Sequence, residues 1–147
     1  MNVVKIIDAE AYLNEIKDFE LKIKNKLAEI QQLRYLAVSL GGAPLGCDVP
    51  QVSKNNDRIG SAVAKIIDEE NEVREDISRF IEMRRERIKT IEKLCGLHYD
   101  ILHLHYVQYI SLKKIAKEKN YAYSYVLELH KEAKEALQEL LPPEIVK

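Results

Sequence analysis

Tyr99–Leu140 reads YDILHLHYVQYISLKKIAKEKNYAYSYVLELHKEAKEALQEL, and its spacing decides the fold. Ile101, Leu102, Leu104 and Tyr106 supply the apolar face of a first helix, which Gln108–Ser111 then breaks. Ser111 stands where a helix N-cap is needed, ahead of Leu112–Lys119. Within that segment Leu112, Ile115 and Ala116 fall at i, i+3 and i+4, so one stripe is buried while Lys113, Lys114 and Lys117 face outward. Ala116 is small, which suits a close helix crossing. Asn120 tolerates the left-handed conformation that ends a helix. After Asn120-Tyr121-Ala122, the residues Val126, Leu129, Ala133, Ala136, Leu137 and Leu140 mark the inner face of a long final helix. This pattern predicts a helix-turn-helix, a unit that lays one exposed helix in the DNA major groove.

Upstream, the pattern changes to two long heptad-like repeats. Leu13, Ile16, Ile23, Leu27, Ile30 and Ala37 recur at three- and four-residue steps and predict a helix from about Asp8 to Leu40. Ile59, Val63, Ile66, Val73, Ile77, Phe80, Ile88 and Ile91 do the same from about Asp57, a plausible N-cap, to Leu94. The expected arrangement is an antiparallel, coiled-coil-like hairpin. Glu20 and Arg34 interrupt one seam, and Glu70 and Arg84 the other, with the signs in opposite order. An antiparallel register lets Glu20 approach Arg84 and Arg34 approach Glu70, and opposed charges at a seam specify register.

Between these helices, Ser39–Asn56 holds three glycines and two prolines with no helical period, which predicts a loop of about eighteen residues. Cys47 lies in it and Cys95 follows the second helix, a spacing that offers no metal site. No signal-peptide pattern opens the chain, so reduced thiols in the cytoplasm are expected.

Composition bounds the function. The 147 residues are 46% hydrophobic and 32% charged, with net charge −1 and no tryptophan. No apolar run reaches the ~18 residues of a membrane span. His98, His103, His105 and His130 lack zinc-ligand spacing, and neither a phosphate-cradling glycine loop nor a nucleophile motif is present. An enzyme is therefore not expected, nor a cofactor or a small-molecule substrate.

Nucleic acid fits better. Six lysines and three glutamates lie between Ser111 and Lys134, a modestly basic window. Six of the eight tyrosines fall between Tyr99 and Tyr125. Tyr106, Tyr109 and Tyr121 are expected to pack between the helices with wet hydroxyls. Tyr123, Ser124 and Tyr125 open the final helix, where hydroxyls can bond phosphates or base edges and rings can meet thymine methyls. The candidate DNA-contacting residues are Ser111, Lys113, Lys114, Tyr123, Ser124, Tyr125, Glu128 and Lys131. No arginine follows Arg87, so bidentate arginine–guanine readout from this unit is excluded. Arg84, Arg85, Arg87, Lys89 and Lys93 form a basic run leading into the unit and could extend its phosphate contacts.

The quoted run resembles region four of bacterial sigma factors. Ile110-Ser111-Leu112-Lys113-Lys114-Ile115-Ala116 falls where that region carries its Leu-Ser-x-x-Glu-Ile-Ala helix, and Tyr125-Val126 where its recognition helix carries Thr-Val. DRIGSAVAKIIDEENEVREDI and YLNEIKDFELKIKNKLAEIQQLR are similar to a phage and prophage family of Gram-positive bacteria, akin to the RinA and ArpU activators of late phage genes. The chain departs from the sigma pattern at Asn120, where glycine is usual, at Ala122, where a capping serine is usual, and at Leu127, Glu128 and Leu129.

What the residues and the resemblance together imply is an all-α protein. A helical hairpin at 1–95, with a flexible loop at 39–56, precedes a helix-turn-helix unit of sigma region-four type at 96–147. The implied function is a DNA-binding transcription regulator in the bacterial cytoplasm, with double-stranded DNA as partner. RNA polymerase is a second candidate partner. So small a unit suggests a homo-oligomer, most simply a dimer through the long helices. The alternatives are an interaction module that binds RNA polymerase or another phage protein without gripping DNA, and a phage packaging component like a small terminase subunit.

Overall fold

The computed structural model describes residues 3–5, 7–41, 52–142 and 144–146, with side chains from 7 to 39 and from 58 to 142. Along the chain come β1 (Val3–Lys5), α1 (Ala9–Gly41), α2 (Val52–Ile91), α3 (Gly96–Leu102), α4 (Leu112–Lys119), α5 (Tyr123–Leu140) and β2 (Glu144–Val146). The described residues are overwhelmingly helical. The exception is an antiparallel ribbon in which β1 pairs with β2, Val3 opposite Val146. Strands of three residues are too short to show alternation, and the sequence did not announce them.

The long helices correct two expectations. α2 starts at Val52, so Asp57 lies inside it rather than at its start, and 39–41 and 52–56 of the expected loop are helical, while 42–51 lie outside the described residues. Gly41, Ser53, Asn55 and Asn56 are poor helix formers. Adding residues to a helix already nucleated costs little, so both helices run on into the expected loop. Cys47 lies outside the described residues.

Contacts divide the chain into one unit of Met1–Phe19 with Phe80–Lys147, and a second of Glu20–Arg79. The division thus runs through both long helices, where the sequence suggested a boundary at 95/96. Heptad spacing marks an apolar seam but not the partner that fills it.

In the first unit, Leu13 and Ile16 of α1 and Ile91 of α2 share one core with Leu102, Ile115, Val126, Ala133 and Leu137. α1 and α2 enter it antiparallel. The Tyr12 hydroxyl donates to Thr90 Oγ1 at 3.0 Å, and Phe19 stacks on Phe80 with centroids 5.8 Å apart. The Arg87 guanidinium lies 4.1 Å over the Tyr12 ring and reaches Glu15 at 2.5 Å. Gln138 of α5 clamps the start of α1. Its Oε1 accepts from Ala9 N–H at 2.8 Å, while its Nε2 donates to the Ile7 carbonyl at 2.5 Å. An otherwise orphaned helix-terminal N–H is thereby satisfied.

The second unit is made of the remaining lengths of α1 and α2, again antiparallel. Lys26 bridges to Glu72 at 3.2 Å and Asp76 at 2.5 Å, and Arg34 pairs with Glu70 as the charge pattern predicts. Glu20 meets Lys24 on its own helix at 3.4 Å. Ile23, Ile30, Ile66 and Val73 are the buried apolar residues described in this unit. Leu27 and Val63, read as seam residues, are instead 46% and 43% exposed. A 3.6-residue period drifts from a 3.5-residue seam, so some heptad positions rotate out to its flank.

Candidate functional site

α3 does not end in an ordinary cap. It widens into one π-helical turn, His103–Val107, closed by Gln108 N–H on the His103 carbonyl at 3.0 Å. Tyr109 then takes a left-handed conformation, φ 60, and Ile110 N–H returns to the Leu104 carbonyl at 3.0 Å. A non-glycine residue there carries backbone strain of about 1 kcal/mol. The turn delivers the chain to Ser111, whose Oγ accepts from Lys114 N–H at 3.2 Å and caps α4.

α4 ends at Asn120 with φ 57 and ψ 38, and Tyr121 N–H closes the turn on the Ala116 carbonyl at 2.9 Å. This is the glycine-like helix stop, made by the residue type that tolerates it next best. Ala122 follows as the N-cap of α5 with no side-chain hydrogen bond, so that first turn lacks the serine cap usual at such a place. Ile115 and Ala116 from α4 are buried with Val126, Leu129, Ala133 and Leu137 from α5, while Leu112 is half-buried and Leu140 exposed. At its far end α4 is tied to α3 by Lys119 and Asp100, 2.9 Å apart.

The inward anchoring decides what faces out. Ser111, Lys113, Lys114, Tyr123, Ser124, Tyr125, Glu128 and Lys131 are all exposed. Lys113 and Tyr123 come together, with the ammonium 5.9 Å above the ring centroid. Tyr121 and Leu127 are exposed too, and sequence reasoning did not count either in the site. Tyr121 sits edge-on to Tyr125 at 5.3 Å. The signal for both was available: each lies outside the 126/129/133/137 stripe.

Of the three tyrosines expected to be packed with wet hydroxyls, Tyr109 and Tyr121 are exposed. Tyr106 is buried, and its hydroxyl is not wet: it bonds His130 Nε2 at 2.8 Å, with the two rings stacked. Burial holds the His130 imidazole at about 4, and the nearby Lys134 and His105 add to that effect. The ring is therefore neutral near pH 7, and the tyrosine is the donor. Burial, with Glu10 and Asp8, raises the Tyr106 hydroxyl correspondingly. His105 lies edge-on to both rings and bonds the Ile110 carbonyl through Nδ1 at 2.8 Å, fixing its own tautomer. Burial, helped by Arg84, lowers His103, whose Nδ1 faces Gln108 Nε2 at 2.9 Å. His98 reaches Glu132 at 3.6 Å. Among the described residues no group of three His, Cys, Asp or Glu side chains is placed to hold a metal, and Cys95 is exposed and unpaired with any other cysteine.

Family models, curated proteins and solved structures return no match to this chain. Among the described residues no helix is long and apolar enough to cross a membrane.

Proposed function

We propose that this protein is a phage-type transcription regulator that binds double-stranded DNA through a sigma region-four-like helix-turn-helix made of α4, its turn and α5. One observation carries the reading: the first turn of α5 presents Tyr123, Ser124 and Tyr125 outward while the same helix is pinned from within by Val126, Leu129, Ala133 and Leu137. A rigid helix offering its N-terminal turn is what major-groove docking needs. Lys113 and Lys114, exposed at the start of α4, are suited to the flanking phosphates. The likeness of 110–116 and 125–126 to sigma region four points the same way. No catalytic step belongs to this reading, and a homodimer suits it, because one such unit buries too little surface for tight site-specific binding.

A gel shift on fragments of the encoding genome tests it. Tyr123→Ala with Tyr125→Ala should abolish specific binding and leave the circular dichroism unchanged. Lys113→Glu with Lys114→Glu should instead weaken binding to every sequence and flatten its salt dependence. Full operator affinity in the folded double-tyrosine variant would refute the assignment.

The second reading is a protein-docking unit that engages RNA polymerase or another phage protein. Tyr121, Tyr123, Tyr125 and Leu127 favour it, since four exposed aromatic and aliphatic side chains within seven residues resemble the centre of a protein interface. Binding that ignores salt and needs no DNA would select it.

A further inference from the structure

We infer that the Glu20–Arg79 unit has an unfinished apolar face that is completed by the same face of a second copy of this chain. The face is built from two parallel stripes. On α1, Leu27, Arg34 and Val38 follow one another at seven and four residues, and on α2, Val63, Ile67, Glu70 and Ile77 continue at four, three and seven. Both stripes flank the buried seam, and Leu27 and Arg34 of one with Glu70 and Ile77 of the other line a groove of about 460 Å³ floored by Ile30 and Val73 and edged by Gln31 and Arg74. Leu27, Val38, Val63 and Ile67 are 46%, 69%, 43% and 50% exposed, which is not how apolar residues beside a coiled-coil seam rest in a finished bundle.

Two arguments select a second copy as the occupant. First, the described residues of this unit bury four apolar side chains, a thin core for so long a pair of helices, and two helices alone cannot cover both flanks of their seam. Second, the face is complementary to itself. Arg34 and Glu70 stand level with each other across it. When two hairpins stack about a twofold axis along the helices, Arg34 of each copy lies over Glu70 of the other, and Leu27 over Ile77. Such a contact is isologous and closes at two copies. This deepens the dimer reading above and is tested without DNA.

The test is the mass of the full chain by light scattering at micromolar concentration. The unaltered chain should weigh about twice its 17.0 kDa. Leu27→Glu and Ile67→Glu each place a charge at an exposed site, so each should keep its helicity and weaken association more than tenfold. Charge exchange makes the register specific. Arg34→Glu alone and Glu70→Arg alone should each associate poorly, whereas an equimolar mixture should form the heterodimer, because each copy then offers the opposite sign throughout. A 17.0 kDa mass for the unaltered chain would overturn the inference, whatever other partner it binds. So would a dimer indifferent to Leu27→Glu and Ile67→Glu, or a mixture no better associated than its components.

Discussion

At the scale of single residues, the Tyr106–His130 pair is the most consequential contact, because it places a titratable ring inside the unit that carries the candidate site. Above pH 6.5 the imidazole is neutral in folded and unfolded chains alike, and the folded state keeps its full stability. As the pH falls below 6.5, only the unfolded chain gains the proton, so stability declines until about pH 4, where the buried ring protonates as well. Melting temperature followed from pH 7 to 4 should therefore show an acid limb in that window. His130→Gln, which keeps an acceptor for the Tyr106 hydroxyl but cannot titrate, should flatten the limb. A limb of the same slope in the variant would assign the loss to other groups. Tyr106→Phe removes the 2.8 Å bond and leaves the ring nitrogen unsatisfied, at a cost of about 1 kcal/mol at pH 7.

At the scale of elements, α4 is eight residues long and too short to be stable alone, so its two ends matter more than its interior. Ser111 satisfies an N-terminal amide, and Asn120 bends the chain back at positive φ. Ser111→Ala should cost about 1 kcal/mol in chemical denaturation. Asn120→Ala should cost a similar amount through its left-handed backbone, whereas Asn120→Gly should cost much less. An alanine as well tolerated as glycine at 120 would mean the turn relaxes to another conformation. Both ends were legible in advance, because capping depends on residue type within four positions. The π-helical turn at His103–Val107 was not, since nothing in HLHYV distinguishes it from an α-helical turn.

At the scale of the whole molecule, the two units differ in how much apolar surface each buries for itself. The unit holding Leu13, Ile91, Leu102, Val126 and Leu137 has every one of these side chains wholly enclosed, whereas the Glu20–Arg79 unit relies on Ile23, Ile30, Ile66 and Val73. Hydrogen exchange on the Ile67→Glu chain should therefore show its slowest amides around Leu102 and Val126 and markedly faster exchange through 20–79. Uniform protection across both would show that the long helices open only with the rest of the fold.

The sequence by itself determined the helical class, the central lengths of the helices, the cap at Ser111, the stop at Asn120 and the pairing of Arg34 with Glu70. Each follows from a repeat or from chemistry acting over a few neighbours, and the ion pair from matching two such repeats. Only the tertiary structure decided that Gln138 closes the start of α1, that β1 meets β2, and that Tyr106 finds His130. Those outcomes depend on residues distant in sequence, 131 positions apart for Gln138 and Ile7. Local spacing holds no trace of such partners, because the energy that brings them together is released only when the core closes around them.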